Sequence, residues 1–589
     1  MKWKAFIFWT FVFIGLLSFF YSFNIYLYKR QEELQFFIPQ WPYIKSILWI
    51  PGGCCTALGQ FFVQYYQNSL FASLLNSTLL CGIGIFFYLI LQQIVQRTYN
   101  YLLALIPVLG LLKMHLRLNY VLDGTLGLFL MMALLFGFTL IQGKRRWLIY
   151  SVLSTLVVYS LAGQLVILYT ALLFIVGCIH RFKGWQYTLL PMALGSILTY
   201  IGARFSLYIP LIEGLQPAEY HEMQLQPDSY IYYVWIRFVF VAAILLLSGY
   251  LLKHISWSKW WRKSLITVVI AIVLFDISGM CLPDPYDVQN RMADRISSLA
   301  QQKEWDAIIR MHQGKRITNY VSLNFLNMAL AQKGLLGDKL FYFDQKGPKS
   351  LLADWNHTFF MSKLLSDIHF MIGDLSMSEA YAMDGLTLAK RKGSPRMMQR
   401  LVQINLIKGD KNIAEKYINL LSQMPCYKEW AEKYRGYLGH PDLMKLDNLL
   451  ASKKAADPAV NDLLCLVETD SLWMMHIEET GVNKTALEYL GCSYLLAKEL
   501  DKFKSLLVKI EDDSRWQKLP VHFQEAALIL SIKDPTLLKS ISIEPSISER
   551  FKEFQIHNKM EHPDNNQIAS LYQLYGNTFW FYYYYKQLK

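Results

Sequence analysis

Long apolar runs fill the first half of the chain and constrain its fold more than any other feature. A run of about 17 to 25 residues with few charges has the length that crosses a ~30 Å hydrocarbon core as a helix. We count about nine apolar runs near this length, of which the third, fifth and seventh are short for such a core and are expected to be tilted partners or incomplete spans that line a cavity. They are 5–28, 70–95, 101–114, 120–142, 147–160, 163–179, 188–203, 230–252 and 264–282. The sequence therefore predicts an all-α protein whose residues 1–282 form a polytopic transmembrane helix bundle.

The positive charge of the chain belongs to this apolar half. Up to Leu282 there are 19 Lys and Arg against 8 Asp and Glu, whereas the remainder of the chain is nearly balanced. Cytoplasmic loops of membrane proteins carry such an excess, so the basic balance indicates orientation and predicts no nucleic-acid partner. The basic segments 1–4, 143–147, 180–183 and 253–263 alternate as nine spans require if the N-terminus is cytoplasmic. The C-terminal half is then external, which is the periplasm for a bacterial inner membrane.

The pattern changes beyond Pro283 to amphipathic helices with short turns. Gly-Asp pairs recur there at a spacing of 36 residues, at Gly337, Gly373 and Gly409, each preceded by a helical run. A glycine after a helix favours a left-handed cap, and a period near 34 is typical of tetratricopeptide-like helix pairs. We predict tetratricopeptide-like repeats over 283–440 and a further α-helical region over 441–589. The aromatic tail of that region, 578–585, is too short to span a membrane and is expected to dock on the repeat core or the membrane surface.

The stretch Gln31 to Phe71 follows the first apolar run and carries the strongest candidates for chemistry. Most of it lies in a predicted external loop, 29–69, and it is too polar at its start for lipid and unusually aromatic. Glu32 and Glu33 stand where the first span ends. A carboxylate there could act as a general base toward a sugar hydroxyl or bind a divalent metal ion. The alternative is a solvated turn in which these carboxylates neutralise Lys29 and Arg30.

Three further groups of charged residues lie in or beside the spans, where charge is expensive unless it is paired or functional. Asp123 follows His115, Arg117 and Asn119, and this cluster is either a site or a pairing of a helix start with lipid headgroups. Arg117 and Arg204 are candidate lipid-phosphate ligands, because guanidinium grips phosphate bidentately, although an interfacial anchor is an equally simple function for Arg204. The remaining candidate is an intramembrane ion pair.

Arg237 and Asp276 form that candidate pair. They lie roughly 9 to 10 Å deep on consecutive antiparallel spans at 1.5 Å per residue, and the alternative to a structural ion pair is a transport relay. Soluble-enzyme chemistries are disfavoured, because the sequence has no Walker loop, Rossmann fingerprint, HExxH or GxSxG motif.

Four stretches carry a resemblance to a known family. They are QEELQFF, PGGCCTALGQFFVQYYQNSLFASLL, LPVHFQEAALIL and GNTFWFYYYY. These stretches resemble a family of multi-span proteins of Bacteroidota-type bacteria whose function is not established, and the resemblance covers nearly the whole chain. It implies an inner-membrane address and no particular activity.

A more distant resemblance, of topology alone, is to the GT-C glycosyltransferases. These membrane enzymes use lipid-linked sugar donors and place an acidic catalytic residue in the first external loop. Glu32 and Glu33 stand at that position here, with a Glu-Glu pair where many members carry an Asp-containing pair. The resemblance implies a polyprenyl-phosphate-linked sugar and membrane lipid as partners.

Two other functions stay open. A non-enzymatic membrane scaffold would present the helical repeats to envelope proteins, so that its partner is a protein. A transporter is weakened because few charges lie inside the spans and no inverted repeat is evident. A cavity roofed by 31–71 would favour the transferase, and a filled membrane half would favour the scaffold.

We predict that a reporter fused after Lys589 is active only if the reporter enzyme works outside the cytoplasm. An odd number of spans with a cytoplasmic N-terminus places the C-terminus on the external side. Paired fusions to alkaline phosphatase and to a fluorescent protein that matures only in the cytoplasm measure this. A signal from the cytoplasmic reporter alone would refute the odd span count.

Overall fold

Every regular secondary-structure element in the described part of the chain is a helix. The computed structural model describes residues 2–94, 100–116, 120–180, 188–207, 285–317, 319–389, 393–455, 484–511, 516, 518–535, 541–558 and 565–587, together with residue 243. No β-strand occurs in these ranges. The predicted spans 230–252 and 264–282 lie outside them. The all-α class is therefore confirmed for every element that is described.

The chain divides into two compact units. The first unit contains Met1–Arg291 together with two later segments, Ala389–Pro395 and Leu420–Glu429. The second unit contains Met292–Leu388, Arg396–Asn419 and Trp430–Lys589. Each unit has its own apolar core. The first unit is therefore discontinuous in sequence.

Eleven α-helices are described in the N-terminal part of the first unit. They are α1 Lys2–Phe23, α2 Ile25–Glu33, α3 Trp41–Leu48, α4 Gly53–Val63, α5 Ser69–Ile94, α6 Asn100–Leu103, α7 Leu105–Met114, α8 Leu122–Leu140, α9 Lys144–Ala162, α10 Leu165–His180 and α11 Leu189–Ile201. A π-helical turn, Gly202–Leu207, continues α11. Among the described residues, three helices are long and apolar enough to cross a membrane: Trp3–Phe23, Ser69–Ile94 and Leu122–Leu140.

The span-capable helices pack against one another through small residues. Helix α5 lies between α1 and α8 and contacts both. A Cβ added at Gly84 of α5 would lie 2.2 Å from the ring of Trp9 in α1, and one added at Gly82 of α5 would lie 2.4 Å from the ring of Phe129 in α8. Close approach through small residues is the usual way in which membrane helices associate, because lipid provides no hydrophobic drive between them. The first unit thus has the packing expected of a membrane bundle.

The stretch Gln31 to Phe71, which the sequence predicts to be an external loop, is largely helical. It contains the end of α2 followed by α3 and α4, and a tight turn at Gly52 connects α3 to α4. Gly52 has a φ of +86° and its N–H donates to the carbonyl of Ser160 at 3.2 Å. A Cβ at Gly52 would lie 3.1 Å from the backbone nitrogen of Gly163. The Pro-Gly-Gly break therefore fixes this stretch against the C-terminal end of α9.

The helices after residue 285 are shorter and amphipathic. They are α12 Pro285–Gln301, α13 Trp305–His312, α14 Tyr320–Gln332, α15 Leu336–Lys339, α16 Phe359–Ile372, α17 Leu375–Leu388, α18 Pro395–Lys408, α19 Lys411–Leu421, α20 Lys428–Gly439, α21 Pro441–Leu446, α22 Asn448–Ala455, α23 Lys484–Ala497, α24 Leu500–Glu511, α25 Val521–Lys533, α26 Pro545–His557, α27 Asn565–Tyr575 and α28 Phe579–Tyr585. Short 3₁₀ turns lie at Leu340–Tyr342 and Pro348–Ser350.

Helices α16 and α17 form a hairpin with a glycine cap at the turn. Gly373 ends α16 with a φ of +92°, and Ser366 and Ser378 exchange hydrogen bonds between the two helices at 2.8 and 2.9 Å. Gly409 has a φ of +93° directly after α18. The predicted left-handed caps are therefore confirmed at Gly373 and Gly409.

The predicted cap at Gly337 is wrong. Gly337 lies inside α15, and the left-handed residue of this turn is Gly334, with a φ of +66°. A Cβ at Gly337 would lie 2.6 Å from Cβ of Pro520, and its N–H donates to Oε1 of Glu488 at 2.6 Å. Gly337 is thus needed for a close approach between helices rather than for its backbone conformation.

Two lysines of α22 bind the C-terminal carbonyls of these helices. Lys453 donates to the carbonyl of Met371 in α16, and Lys454 donates to that of Ile407 in α18. The last carbonyls of a helix have no partner within the helix and carry the negative end of its dipole, so cations stabilise them. Helix α22 therefore binds the C-terminal ends of α16 and α18.

The aromatic tail is part of the second unit's core. Phe579 and Trp580 are fully buried, and the Trp580 Nε1–H donates to the carbonyl of Glu525 at 3.0 Å. The backbone N–H of Phe579 donates to Oε2 of Glu525 at 2.8 Å, and His522 contacts the same oxygen at 2.8 Å. Of the two sites expected for the tail, the helical core is the one observed.

We predict opposite effects for two glycine substitutions in the second unit. Neither Gly409 nor Gly436 has an atom within 4 Å of an added Cβ, but only Gly409 has a positive φ. Gly409→Ala should cost on the order of 1 kcal/mol because an L-residue resists the left-handed region. Gly436→Ala, inside α20, should stabilise by up to about 1 kcal/mol through helix propensity. Hydrogen–deuterium exchange of the full-length protein in detergent, over 395–439, measures both. Equal protection in the two variants would contradict the capping role.

Candidate functional site

The first helix breaks at Asn24, directly after the first span-capable segment. Helix α2 begins at Ile25, and the Asn24 amide donates to the carbonyl of His115 at 2.9 Å. One turn before the end of α2, the Gln31 amide donates to the carbonyl of Tyr120 at 2.7 Å. Two side-chain amides therefore fix α2 against the segment that connects α7 to α8.

This arrangement buries both candidate carboxylates. The exposed fraction is 2% for Glu32 and 5% for Glu33, and Arg30 beside them is also buried. A solvated turn, which was the alternative explanation of these residues, would leave the carboxylates in water. Neither carboxylate is in that position. Burial of an ionised carboxylate is costly unless it is hydrogen-bonded and paired.

The partner of Glu32 comes from the late segment Leu420–Glu429 of the same unit. The Tyr427 hydroxyl lies 2.8 Å from Oε1 and 2.9 Å from Oε2 of Glu32, so its single proton is shared between the two oxygens. The neighbouring Cys426 thiol donates to the carbonyl of Gln64 at 3.3 Å. Two consecutive residues thus attach this segment around the carboxylate.

The environment of Glu32 raises the pKa of its carboxyl group from the usual acidic range to near neutral pH. Burial raises the pKa of Glu32 to about 8, the hydrogen bonds from Tyr427 and Gln67 oppose this rise, and the Glu33 charge adds to it. Burial and the Glu32 charge raise the pKa of Tyr427 well above its usual value, so its hydroxyl stays a donor. Burial lowers the pKa of Lys29, against the effect of Glu33. Glu32 is therefore a carboxyl group that exchanges its proton near neutral pH.

A third buried carboxylate belongs to Asp123. It lies in the first turn of α8, where the positive end of the helix dipole favours an anion, and it is 1% exposed. A Cβ at Gly59 of α4 would lie 2.0 Å from Oδ1 of Asp123, so only glycine leaves room for this carboxylate. Of the predicted polar cluster, His115 and Asp123 are buried in the unit, and Arg117 and Asn119 lie outside the described residues.

A hydrogen-bonded network adjoins this helix start. His115 Nε2 and the Tyr120 hydroxyl lie 2.8 and 2.6 Å from the hydroxyl oxygen of Thr125. Burial lowers the pKa of His115 to about 3, so the imidazole is neutral at physiological pH. The network connects His115 and Tyr120 to the first turns of α8. The backbone carbonyls of the same two residues accept the hydrogen bonds from Asn24 and Gln31.

The other predicted site residues have different outcomes. Arg204 lies in the π-helical turn Gly202–Leu207 with an exposed side chain, so its lipid-phosphate role stays a prediction. Arg117, Arg237 and Asp276 lie outside the described residues. Within the described ranges, no group of three or more His, Cys, Asp or Glu side chains could hold a metal ion. The divalent-metal role of Glu32 and Glu33 therefore stays a prediction too.

Sequence reasoning missed Tyr427. It is 395 residues from Glu32, and the letters around it, Met-Pro-Cys-Tyr, show only a break between two amphipathic helices. Neither charge nor periodicity marks this residue. Its role becomes visible only when the late segment is placed within the first unit.

Comparison with known proteins identifies a family for the chain but no activity. Residues 1–586 match the sequence profile described as "Family of unknown function (DUF6057)". The chain belongs to this family. No curated protein and no solved structure matches the chain. The indications of function therefore come from the residues of this family member itself.

We predict that the protein loses stability as the pH rises from about 5 to about 8. The raised pKa of Glu32 means that the folded state binds more protons than the unfolded state in this window, so its stability is complete at low pH and falls as Glu32 ionises. The loss should reach a few kcal/mol at most, since each unit of pKa shift corresponds to about 1.4 kcal/mol. Thermal unfolding of the full-length protein in detergent measures it.

Glu32→Gln is the matched variant for this prediction. The amide keeps the shape and an acceptor for Tyr427 but does not ionise, so the variant should match wild type at pH 5 and exceed it at pH 8. Tyr427→Phe should extend the loss to still higher pH, because it removes a bond that lowers the pKa of Glu32. Parallel pH profiles for wild type and Glu32→Gln would show that Glu32 does not titrate in this range.

Proposed function

We propose that this chain is a GT-C-like glycosyltransferase of the bacterial inner membrane. In this proposal the first half spans the membrane about nine times, with the N-terminus cytoplasmic and the tetratricopeptide-like second half periplasmic. A polyprenyl-phosphate-linked sugar is the donor at the outer face. Glu32 is the general base, and Glu33 tunes it or holds a divalent metal ion.

The single observation that carries this proposal is the state of Glu32. It lies near the end of α2, the helix that follows the first span-capable helix, it is buried, and its pKa is raised to about 8. General bases work best when their pKa lies near the operating pH, and enzymes raise the pKa of glutamate by burial for this purpose. An ordinary surface carboxylate is not buried, and its pKa is not raised.

The proposed reaction moves one proton and exchanges one bond. A hydroxyl oxygen of the acceptor forms a bond to the anomeric carbon of the sugar while the bond from that carbon to the phosphate oxygen breaks. The hydroxyl proton passes to the ionised form of Glu32, which a pKa of about 8 leaves as the minor form at neutral pH, and the polyprenyl phosphate leaves with the bonding electrons. Arg117 and Arg204 are the candidates for holding the departing phosphate, because guanidinium pairs bidentately with phosphate oxygens.

Tyr427 is a positioning residue in this scheme. Its hydroxyl donates to both oxygens of Glu32 and so fixes the plane of the carboxyl group. For Glu32 to accept a proton from an acceptor sugar, one oxygen must exchange its share of the Tyr427 hydrogen bond for the substrate hydroxyl. Since the hydroxyl is already shared between the two oxygens, this exchange does not leave the carboxylate without a donor.

The scaffold is the second candidate, and one observation favours it. Tyr427 already occupies both oxygens of Glu32, which is also what a purely structural buried carboxyl group requires. In that case Glu32 and Tyr427 fasten the segment Leu420–Glu429 in place, and the helical repeats present their surface to envelope proteins. The two candidates differ in whether ionisation of Glu32 matters.

We predict that deletion of the gene alters an envelope glycan and that the wild-type protein restores it. The Glu32→Gln variant should fail to restore it. A general base contributes about 10²- to 10⁴-fold in rate, whereas the amide preserves shape and the hydrogen bond to Tyr427. Glu33→Gln should have a smaller effect. Glu429→Gln is the control, because Glu429 is an exposed carboxylate in the same late segment. Equal abundance in the membrane is confirmed by immunoblotting, and glycans are compared by mass spectrometry.

The contrary outcome is equally specific. Full restoration by Glu32→Gln and Glu33→Gln would remove the catalytic role of both carboxylates. If deletion changes no glycan, but removal of residues 283–589 disrupts an envelope complex, the scaffold takes the place of the transferase.

A further inference from the structure

A cavity in the second unit lies far along the chain from Glu32. It measures about 400 Å³ and is formed by the turn after α15 together with α26, α27 and α28. This volume falls within the roughly 300 to 1,000 Å³ range of small-molecule sites. All of its lining residues belong to the second unit. It is therefore a feature of the helical domain alone.

Aromatic rings form one part of the lining. Tyr342 is 56% exposed and Tyr572 is 58% exposed, although both are large aromatic side chains in an ordered part of the domain. The ring of Tyr572 meets the edge of Phe581 with 5.4 Å between the centroids, so its position is supported from within the domain. Exposed and supported aromatic rings offer flat apolar faces that a ligand can cover.

Polar groups with unused hydrogen-bonding capacity form the other part. Arg550 donates to the carbonyl of Leu574 at 2.8 Å and to Oδ1 of Asn577 at 2.9 Å. The Asn577 amide oxygen is thereby engaged, while its NH₂ group supplies two further donors. Asp344 accepts from Lys586 through Oδ1 and has a second oxygen. The lining thus combines a carboxylate, an amide and a guanidinium.

We propose that this cavity binds an oligosaccharide. The C–H faces of a pyranose pack on aromatic rings, while its hydroxyls donate to carboxylates and accept from amide and guanidinium N–H groups. Tyr342 and Tyr572 supply the rings, and Asp344, Asn577 and Arg550 supply the polar partners. The role of this glycan as the acceptor of the transferred sugar rests on the proposed function, but its binding does not.

Other ligand classes fit the lining less well. Among the charged lining residues, Asp344 neutralises Lys586, which leaves Arg550 as a single positive charge and makes a polyphosphate a poor match. A peptide bound as an added strand needs a sheet edge, and the described part of this unit has only helices. A peptide bound as a helix needs a continuous apolar groove, whereas this lining alternates aromatic with polar groups.

The test uses the full-length protein in detergent and a printed panel of neutral, N-acetylamino and uronate-containing tetrasaccharides. We expect at least one class to bind, and Tyr572→Ala and Asn577→Ala each to weaken binding roughly tenfold, the equivalent of about 1.4 kcal/mol. Tyr584→Ala is the control, because Tyr584 is 44% exposed in α28 and does not line the cavity. Tyr342→Ala is the second variant if Tyr572→Ala lowers the melting temperature.

Three results would overturn the inference: no tetrasaccharide binds at millimolar concentration, binding is unchanged in Asn577→Ala and the two tyrosine variants, or a soluble heptapeptide library binds in a way that these variants abolish while glycans do not. Glu32→Gln should leave glycan binding intact while it abolishes transfer. Normal transfer in Glu32→Gln with intact glycan binding would refute the catalytic proposal alone, and absent glycan binding would refute the inference alone.

Discussion

The burial of the Glu32 carboxyl group is the constraint on which the rest of the first unit depends. An ionised carboxylate without partners would cost several kcal/mol in such a place. The cost is reduced because the group keeps its proton up to about pH 8 and receives hydrogen bonds from Tyr427 and Gln67. These partners require α2 to be fixed in place and the late segment to join the unit. Both features are observed, through Gln31 and through Cys426.

The elements that could be predicted from the sequence are those whose signal is local. Three helices lie within a few residues of predicted apolar runs: Lys2–Phe23, Ser69–Ile94 and Leu122–Leu140. They could be predicted because the length of an apolar run can be read from consecutive residues. Glu32 and Glu33 were identifiable from their place after the first run. Their burial was not, since it depends on Tyr427, and tertiary contacts across 395 residues leave no local pattern.

The glycines of the second unit also show where prediction from local sequence fails. Gly373 and Gly409 could be predicted as caps because a glycine after an amphipathic run has a local meaning. Gly337 has the same Gly-Asp sequence but serves the approach of Pro520 and Glu488, while Gly334 supplies the left-handed residue. Sequence spacing alone cannot distinguish a glycine needed for its φ angle from one needed for the space beside its Cα.

The discontinuity of the first unit has a consequence for biosynthesis. Residues up to 291 leave the ribosome first, but Leu420–Glu429 belongs to the same compact unit. A chain made in the N-to-C direction at about 5 to 20 residues per second therefore holds Glu32 without its tyrosine partner, 395 residues later, for roughly 20 to 80 seconds. During that interval much of the second unit, including α16 and α17, has already been synthesised. The membrane half is translated first and completed late.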